Sequence, residues 1–223
     1  MLVADSLVKT LIISCCAVVT ISCGGSPPPQ TIDKPQPPKT YVFECLNKAS
    51  YTVRLDKDQA FIFLPVGTVL LPRQPSSAGA KYSDGKTSIW QRGDMALMHM
   101  GGVPLGDCPN NPREAAWEHA RLNGVGFRAA GDKPGWYLEI TDKSGIVFAP
   151  GQGDRRLEFP FVEAKTSNSN VTKTYECKND GHQLTVVAVQ MECKDPASTK
   201  VYDWTVTVKW NGVTYSGCGK DLQ

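Results

Sequence analysis

Ser77-Ala-Gly-Ala-Lys-Tyr-Ser-Asp-Gly-Lys-Thr-Ser-Ile-Trp-Gln-Arg-Gly93 is the stretch on which the fold turns. Its centre, Ser83-Asp84-Gly85-Lys86, carries turn chemistry, because Asp and Gly tolerate the backbone angles of a tight reversal. Tyr82 leads into the turn, and Ile89 and Trp90 lead out of it. The pattern predicts a β-hairpin. A second glycine-bearing loop follows at Gln91-Arg92-Gly93-Asp94. The neighbourhood is basic: Arg73, Lys81, Lys86 and Arg92 stand against the single acid Asp84.

Strands extend outward from this hairpin. Tyr51, Val53 and Leu55 alternate with Thr52, Arg54 and Asp56, which predicts a half-buried strand. Ala60-Phe61-Ile62-Phe63-Leu64 predicts a more fully buried strand closed by Pro65. Val69-Leu70-Leu71 is expected to end at Pro72, and Met95 to Met100 forms another strand. Short strands with frequent turns over residues 40–109 predict a small antiparallel β-barrel or sandwich. Pro109-Asn110-Asn111-Pro112 marks a boundary. Arg113 to Leu122 predicts the one convincing helix, with Ala116, Trp117 and Ala120 toward a core and Asn123-Gly124 as its stop. Strands then return. Trp136, Leu138 and Ile140 alternate with polar residues, and so do Trp204, Val206, Val208 and Trp210. Asn211-Gly212 turns the latter run into Val213-Thr214-Tyr215. Residues 110–223 therefore form a second, mainly antiparallel β domain with one helix, and the chain as a whole is mainly β.

The 223 residues suffice for two small domains. A formal charge of +2 gives no support to broad nucleic-acid binding. Residues 1–22 form a targeting segment: Lys9 precedes the apolar run Leu11 to Val19, which is too short to span a bilayer. Thr20-Ile21-Ser22-Cys23 resembles a bacterial lipobox, with Cys23 as the acylated residue that would hold the protein on a lipid bilayer. The competing reading is an ordinary secretory leader with a chance cysteine. Residues 23–39 hold Pro27-Pro28-Pro29 and Pro35-Gln36-Pro37-Pro38, a semi-extended tether that cannot form a core. With Cys15 and Cys16 in the leader and Cys23 carrying lipid, five cysteines remain in an oxidising compartment: Cys45, Cys108, Cys177, Cys193 and Cys218. An odd number leaves one thiol unpaired or paired between molecules.

The stretch that opened the analysis resembles the signature of the membrane-bound inhibitors of c-type lysozyme, the MliC family. Their pattern runs Ser-Ala-Ser-Gly-x-x-Tyr, a short hairpin, then Trp-x-Lys-Gly. It matches Ser76-Ser77-Ala78-Gly79-Ala80-Lys81-Tyr82 and Trp90-Gln91-Arg92-Gly93 without a gap. Ala78 replaces the family's serine and Arg92 its lysine. The resemblance implies a small β-barrel closed by a Cys45–Cys108 bridge, and c-type lysozyme as the partner. It also implies a contact surface of Ala78, Gly79, Lys81, Tyr82, Trp90 and Arg92. Residues 125–219 resemble a domain of uncharacterised bacterial envelope lipoproteins. The pieces that carry this are Phe127-Arg-Ala-Ala-Gly131, Gly135-Trp136, Arg156-Leu-Glu-Phe-Pro160, Cys193-Lys-Asp195 and Thr214-Tyr-Ser-Gly-Cys-Gly219. That second resemblance implies a Cys193–Cys218 bridge, which leaves Cys177 unpaired.

The chemistry of lysozyme explains why such residues would inhibit it. A glycosidase works with two carboxylates flanking the scissile bond. An inhibiting loop must enter that cleft and present donors to them, and in the family the serine hydroxyl and the lysine ammonium do so. Arg92 offers a planar fork able to engage a carboxylate bidentately. Ala78 lacks the hydroxyl, and the side chain of Ser77 should point elsewhere on an extended segment. No nucleophile-elbow pattern accompanies His99, His119 or His182, so the chain does not read as a serine hydrolase. Cys177, His182 and Cys193 could hold a metal, but disulfide use competes and is favoured. Met95, Met98 and Met100 read as core rather than as a copper site. The chain is thus expected to be an outer-membrane lipoprotein facing the periplasm of a Gram-negative envelope. It would inhibit c-type lysozyme and is not expected to be an enzyme or to carry a cofactor. The alternative is a structural or sensing lipoprotein without inhibitory activity.

Overall fold

The computed structural model describes residues 39–142, 144–151, 155–167, 171–179 and 181–223. The expected leader, the expected lipid attachment at Cys23 and the expected tether, up to residue 38, lie outside the described residues. The described chain is mainly β, with two antiparallel sheets and one helix.

The first sheet is a meander of eight strands: β1 (Lys39–Glu44), β2 (Ser50–Leu55), β3 (Gln59–Leu64), β4 (Gly67–Gln74), β5 (Ala80–Ser83), β6 (Ser88–Arg92), β7 (Met95–Met100) and β8 (Val103–Pro109). Each strand pairs with the next, and the two ends meet. Phe43 bridges Asn110, the Val42 N–H donates to the Asn110 side-chain oxygen at 3.1 Å, and the Asn111 N–H donates to the Val42 carbonyl at 2.7 Å. The sheet is therefore nearly closed into a barrel, which removes most of its unpaired edge. Alternate residues point inward and fill it: Phe43, Val53, Ile62, Leu71, Tyr82, Ile89 and Met98 are fully buried. Cys45 and Cys108 are disulfide-bonded across the seam, as the resemblance implied. Their separation of 63 residues corresponds to about 4 kcal/mol of chain-entropy stabilisation.

Two local expectations change. In β3 only Ala60 and Ile62 are buried, while Phe61 and Phe63 are half-exposed. A barrel strand has one outward face, so a continuous apolar run need not be buried on both sides. Strand β4 also continues through Pro72 to Gln74. The Arg73 N–H donates to the Asp58 carbonyl at 2.9 Å, so the imide nitrogen of Pro72 faces the opposite edge. Pairing with β5 begins there only at Arg73, and the missing N–H leaves no ladder bond unmade.

The helix α1 (Pro112–Leu122) follows. The Asn111 side chain accepts from the Glu114 N–H at 3.1 Å, Pro112 starts the helix and Asn123 caps its end. Trp117 and Ala120 pack on Val125, Tyr202, Cys218 and Leu222. Ala115 is buried, whereas Ala116, expected in the core, is half-exposed. The helix is covered on two sides. On the barrel side His119 reaches Thr40 on β1 at 3.1 Å, and the Thr52 hydroxyl on β2 donates to Glu118 at 3.3 Å.

The second sheet comprises β9 (Phe127–Asp132), β10 (Gly135–Thr141), β11 (Gly145–Pro150), β12 (Leu157–Phe159), β13 (Lys165–Thr166), β14 (Thr172–Asn179), β15 (His182–Lys194), β16 (Val201–Trp210) and β17 (Val213–Asp221). Their order is β12-β11-β10-β9-β17-β16-β15-β14-β13, so β17 paired with β9 joins two meanders. The sheet curls until the Asn179 amide donates to the Glu158 carbonyl at 2.6 Å, bringing β14 to β12. The alternating residues Trp136, Leu138, Ile140 and Trp204, Val206, Val208, Trp210 all enter its core. Asn211 (φ 48°) and Gly212 (φ 74°) make the anticipated hairpin turn. Cys193 is bonded to Cys218, and Cys177 is a free, buried thiol.

Candidate functional site

The hairpin predicted from Ser77–Gly93 is β5–β6, and its register decides which side chains share a face. Lys81 pairs with Trp90, which pairs with Leu97 on β7. Arg92 lies two residues beyond Trp90 and so projects on the same outer face. Lys81 and Arg92 are exposed, and Trp90 is half-exposed.

The segment before β5 folds over Trp90. The indole N–H of Trp90 donates to the Ala78 carbonyl at 2.8 Å, and the Ser76 hydroxyl donates to the same oxygen at 2.7 Å. Gly79 makes this approach possible. Its φ is +67°, and a Cβ there would lie 2.1 Å from the Gln91 carbonyl oxygen. The Arg92 guanidinium stacks over Trp90, 4.5 Å from the ring centroid. Such a contact contributes about 0.5–1 kcal/mol at an exposed site. Among the described residues, no carboxylate lies within 4.0 Å of Lys81 or Arg92.

Gly93-Asp94 is a two-residue connection between β6 and β7. Gln91 braces it with a bond to the Gly93 carbonyl and reaches the Tyr41 hydroxyl at 3.4 Å. The Asp94 carbonyl accepts from the Asn110 N–H at 2.8 Å, tying this loop to the barrel seam. At the other end of the hairpin, the Asp84 carboxylate accepts from the Lys86 and Thr87 N–H groups at 2.8 and 2.7 Å. Those backbone bonds hold its pKa below the ordinary carboxylate value, so this acid is engaged by its own turn.

One residue leaves the expected surface. Tyr82, anticipated among the contact residues, is 2 % exposed and points into the barrel. Its hydroxyl donates to the Asp56 carbonyl at 2.8 Å, and burial raises its pKa. Arg73, which pairs with Tyr82, is itself exposed. Its guanidinium donates to the Lys57 carbonyl at 2.9 Å. Tyr82 and Ile89 pair with each other across the hairpin, and both are buried. Sequence reasoning missed the acceptor at Ala78, because a carbonyl has no residue signature.

The other candidates resolve individually. Cys193 is held in its disulfide, and the His182 ring lies 6.1 Å from Trp210, so the conceivable Cys177–His182–Cys193 metal set is not assembled. Met98 is fully buried and Met100 packs on the core, while Met95 is 40 % exposed.

Fold and site together define a small antiparallel barrel that presents two braced loops with uncompensated cations on one face. Residues 43–104 match the family model of the membrane-bound lysozyme-inhibitor of c-type lysozyme, MliC. The match runs from the end of β1 into β8 and bears out the resemblance seen at Ser76–Gly93. No curated protein and no solved structure matches the chain.

Proposed function

We propose that this protein binds c-type lysozyme and inhibits it by placing the loops around Ala78–Gly79 and Trp90–Gly93 in the catalytic cleft. One observation carries the reading. Arg92 is an exposed cation without a carboxylate partner among the described residues, held over Trp90, whose own ring is pinned to the Ala78 carbonyl. A cation fixed before binding loses less conformational freedom when it meets a carboxylate. Lys81 adds a second charge on the same face, and Gly79 keeps the first loop close enough to hold the indole. Tyr82 acts from the interior by fixing the hairpin. Ala78 presents no hydroxyl, and Ser76 is turned onto the Ala78 carbonyl, so neither supplies the serine donor of the family pattern.

In this reading residues 1–22 are a lipoprotein signal and Cys23 carries the acyl chains. Residues 23–39 hold the inhibitor domain 40–109 and the second domain 110–223 off the outer membrane, facing the periplasm. The test is inhibition of c-type lysozyme by the purified protein and its variants. Truncating a paired charge in an interface costs about 2–5 kcal/mol, so Arg92→Ala is expected to weaken inhibition at least about thirtyfold. Ala78→Ser is expected to strengthen it by restoring a donor. An inhibition constant that neither substitution moves refutes cleft insertion. Inhibition by Ala78→Ser alone, with none from the natural chain, supports the alternative of a non-inhibitory envelope lipoprotein on an intact inhibitor fold.

A further inference from the structure

A cleft of about 540 Å³ lies between α1, β1 and the outer face of the second sheet. That volume suits a small organic molecule. Five side chains give it its character: Lys39, His119, Arg128, Tyr137 and Arg156. Arg128 forms the floor. It is 7 % exposed, is paired to Glu139, and lies with its guanidinium 4.7 Å from the Tyr137 ring centroid. Among the described residues, its Nε has no hydrogen-bond partner. Lys39 and Arg156 are exposed at the rim and have no carboxylate within 4.0 Å among the described residues.

The lining stays net positive, with Lys39, Arg128 and Arg156 against Glu139 and Asp94. Glu139 is engaged by Arg128, and Asp94 is the other carboxylate in the lining. His119 is wired as a neutral ring. The Asn123 amide donates to its Nε2 at 2.8 Å, which leaves Nδ1–H to donate to the Thr40 hydroxyl at 3.1 Å. The Asn123 oxygen in turn accepts from Arg54 at 2.6 Å, adding another guanidinium beside the cleft. Burial first, and then Arg54, push the His119 pKa down; Glu139 opposes them, and Arg128 and Arg156 add smaller pushes downward.

We propose that this cleft is a binding site for a small polyanion bearing carboxylate or phosphate oxygens, gripped at the rim by Lys39 and Arg156 over the Arg128–Tyr137 floor. The two rim cations come from the barrel and from the second sheet's β11–β12 connection, so the ligand bridges both halves of the chain. This site does not depend on lysozyme inhibition.

Titration calorimetry on the purified full chain at low ionic strength tests the proposal, with inorganic phosphate and citrate as probes. Saturable binding of at least one probe is expected. Lys39→Ala and Arg156→Ala, both at exposed positions the fold tolerates, should each weaken it about tenfold, as expected for a hydrogen bond to a charged group. Lys209→Ala, at an exposed position of β16 outside the cleft, should not weaken it. Preference for phosphate identifies a phosphorylated ligand, and preference for citrate a polycarboxylate. Absence of saturable binding by either probe overturns the proposal. So does binding that both rim variants leave intact, or that Lys209→Ala weakens equally.

Discussion

Replacing Gly79 by Ala should disrupt the recognition face through a single methyl group. Gly79 has φ +67°, where an L-residue carries a penalty of about 1–2 kcal/mol. The added Cβ would also lie 2.1 Å from the Gln91 carbonyl oxygen and 3.0 Å from Arg92 Cγ. The first contact is backbone in the β6 ladder and cannot swing aside, so the loop must move instead. Forcing an atom into a filled site costs about 1–3 kcal/mol. Gly93→Ala is the matched control, because its φ is +62° and nothing lies within 4 Å of its Cβ position. The backbone penalty is common to both variants. Gly79→Ala should therefore be less stable than Gly93→Ala by about 1–3 kcal/mol, read as a difference in denaturant midpoint or as roughly 2–12 °C in Tm. Displacing the loop also breaks the Trp90–Ala78 bond, so the Trp90 indole N–H resonance should shift in Gly79→Ala and stay in place in Gly93→Ala. Equal stability of the two variants, with an unmoved indole signal, would refute the argument that close approach at Gly79 shapes this face.

The thiol of Cys177 is pushed up to about 11 by burial, so it should resist a thiol reagent at pH 8 in the native protein and react fully on unfolding; native-state labelling checks this. His119 has a folded pKa below its unfolded 6.5, so the unfolded state binds the extra proton first on acidification. Stability should be highest above pH 6.5 and fall as pH drops through that value toward the lowered folded pKa, and His119→Gln should flatten that slope in denaturant titrations. Cys23→Ala should leave the precursor unprocessed or free the protein from membranes, which fractionation measures; unchanged processing and membrane retention would exclude acylation at Cys23.

The elements were legible where physics is local. Alternation in Trp136–Ile140 and Trp204–Trp210 named the buried faces, because neighbouring side chains of a strand point to opposite sides whatever the rest of the chain does. Asn123-Gly124 ended the helix and Asn211-Gly212 turned a hairpin, because those residues accept backbone angles that others resist. The resemblance in Ser76–Gly93 located the candidate surface and the Cys45–Cys108 bridge, and the one over residues 125–219 located Cys193–Cys218. Only the tertiary structure decided the membership of that surface. Tyr82 went to the core and Trp90 to the outside because barrel closure chose which face of the β5–β6 hairpin is interior, and a one-residue change of register would exchange them. Pro72 could remain inside a strand because pairing of β4 with β5 begins one residue later, at Arg73, a fact of pairing rather than of composition. Ala115 was buried in place of Ala116 because α1 is wedged between two sheets, and periodicity within one helix records only how many residues are apolar on each side, not how many partners cover it. The acceptor for Trp90 and the cationic cleft were invisible for the same reason: backbone carbonyls carry no sequence signal, and Lys39 and Arg156 stand 117 positions apart in the chain until folding brings them to one rim.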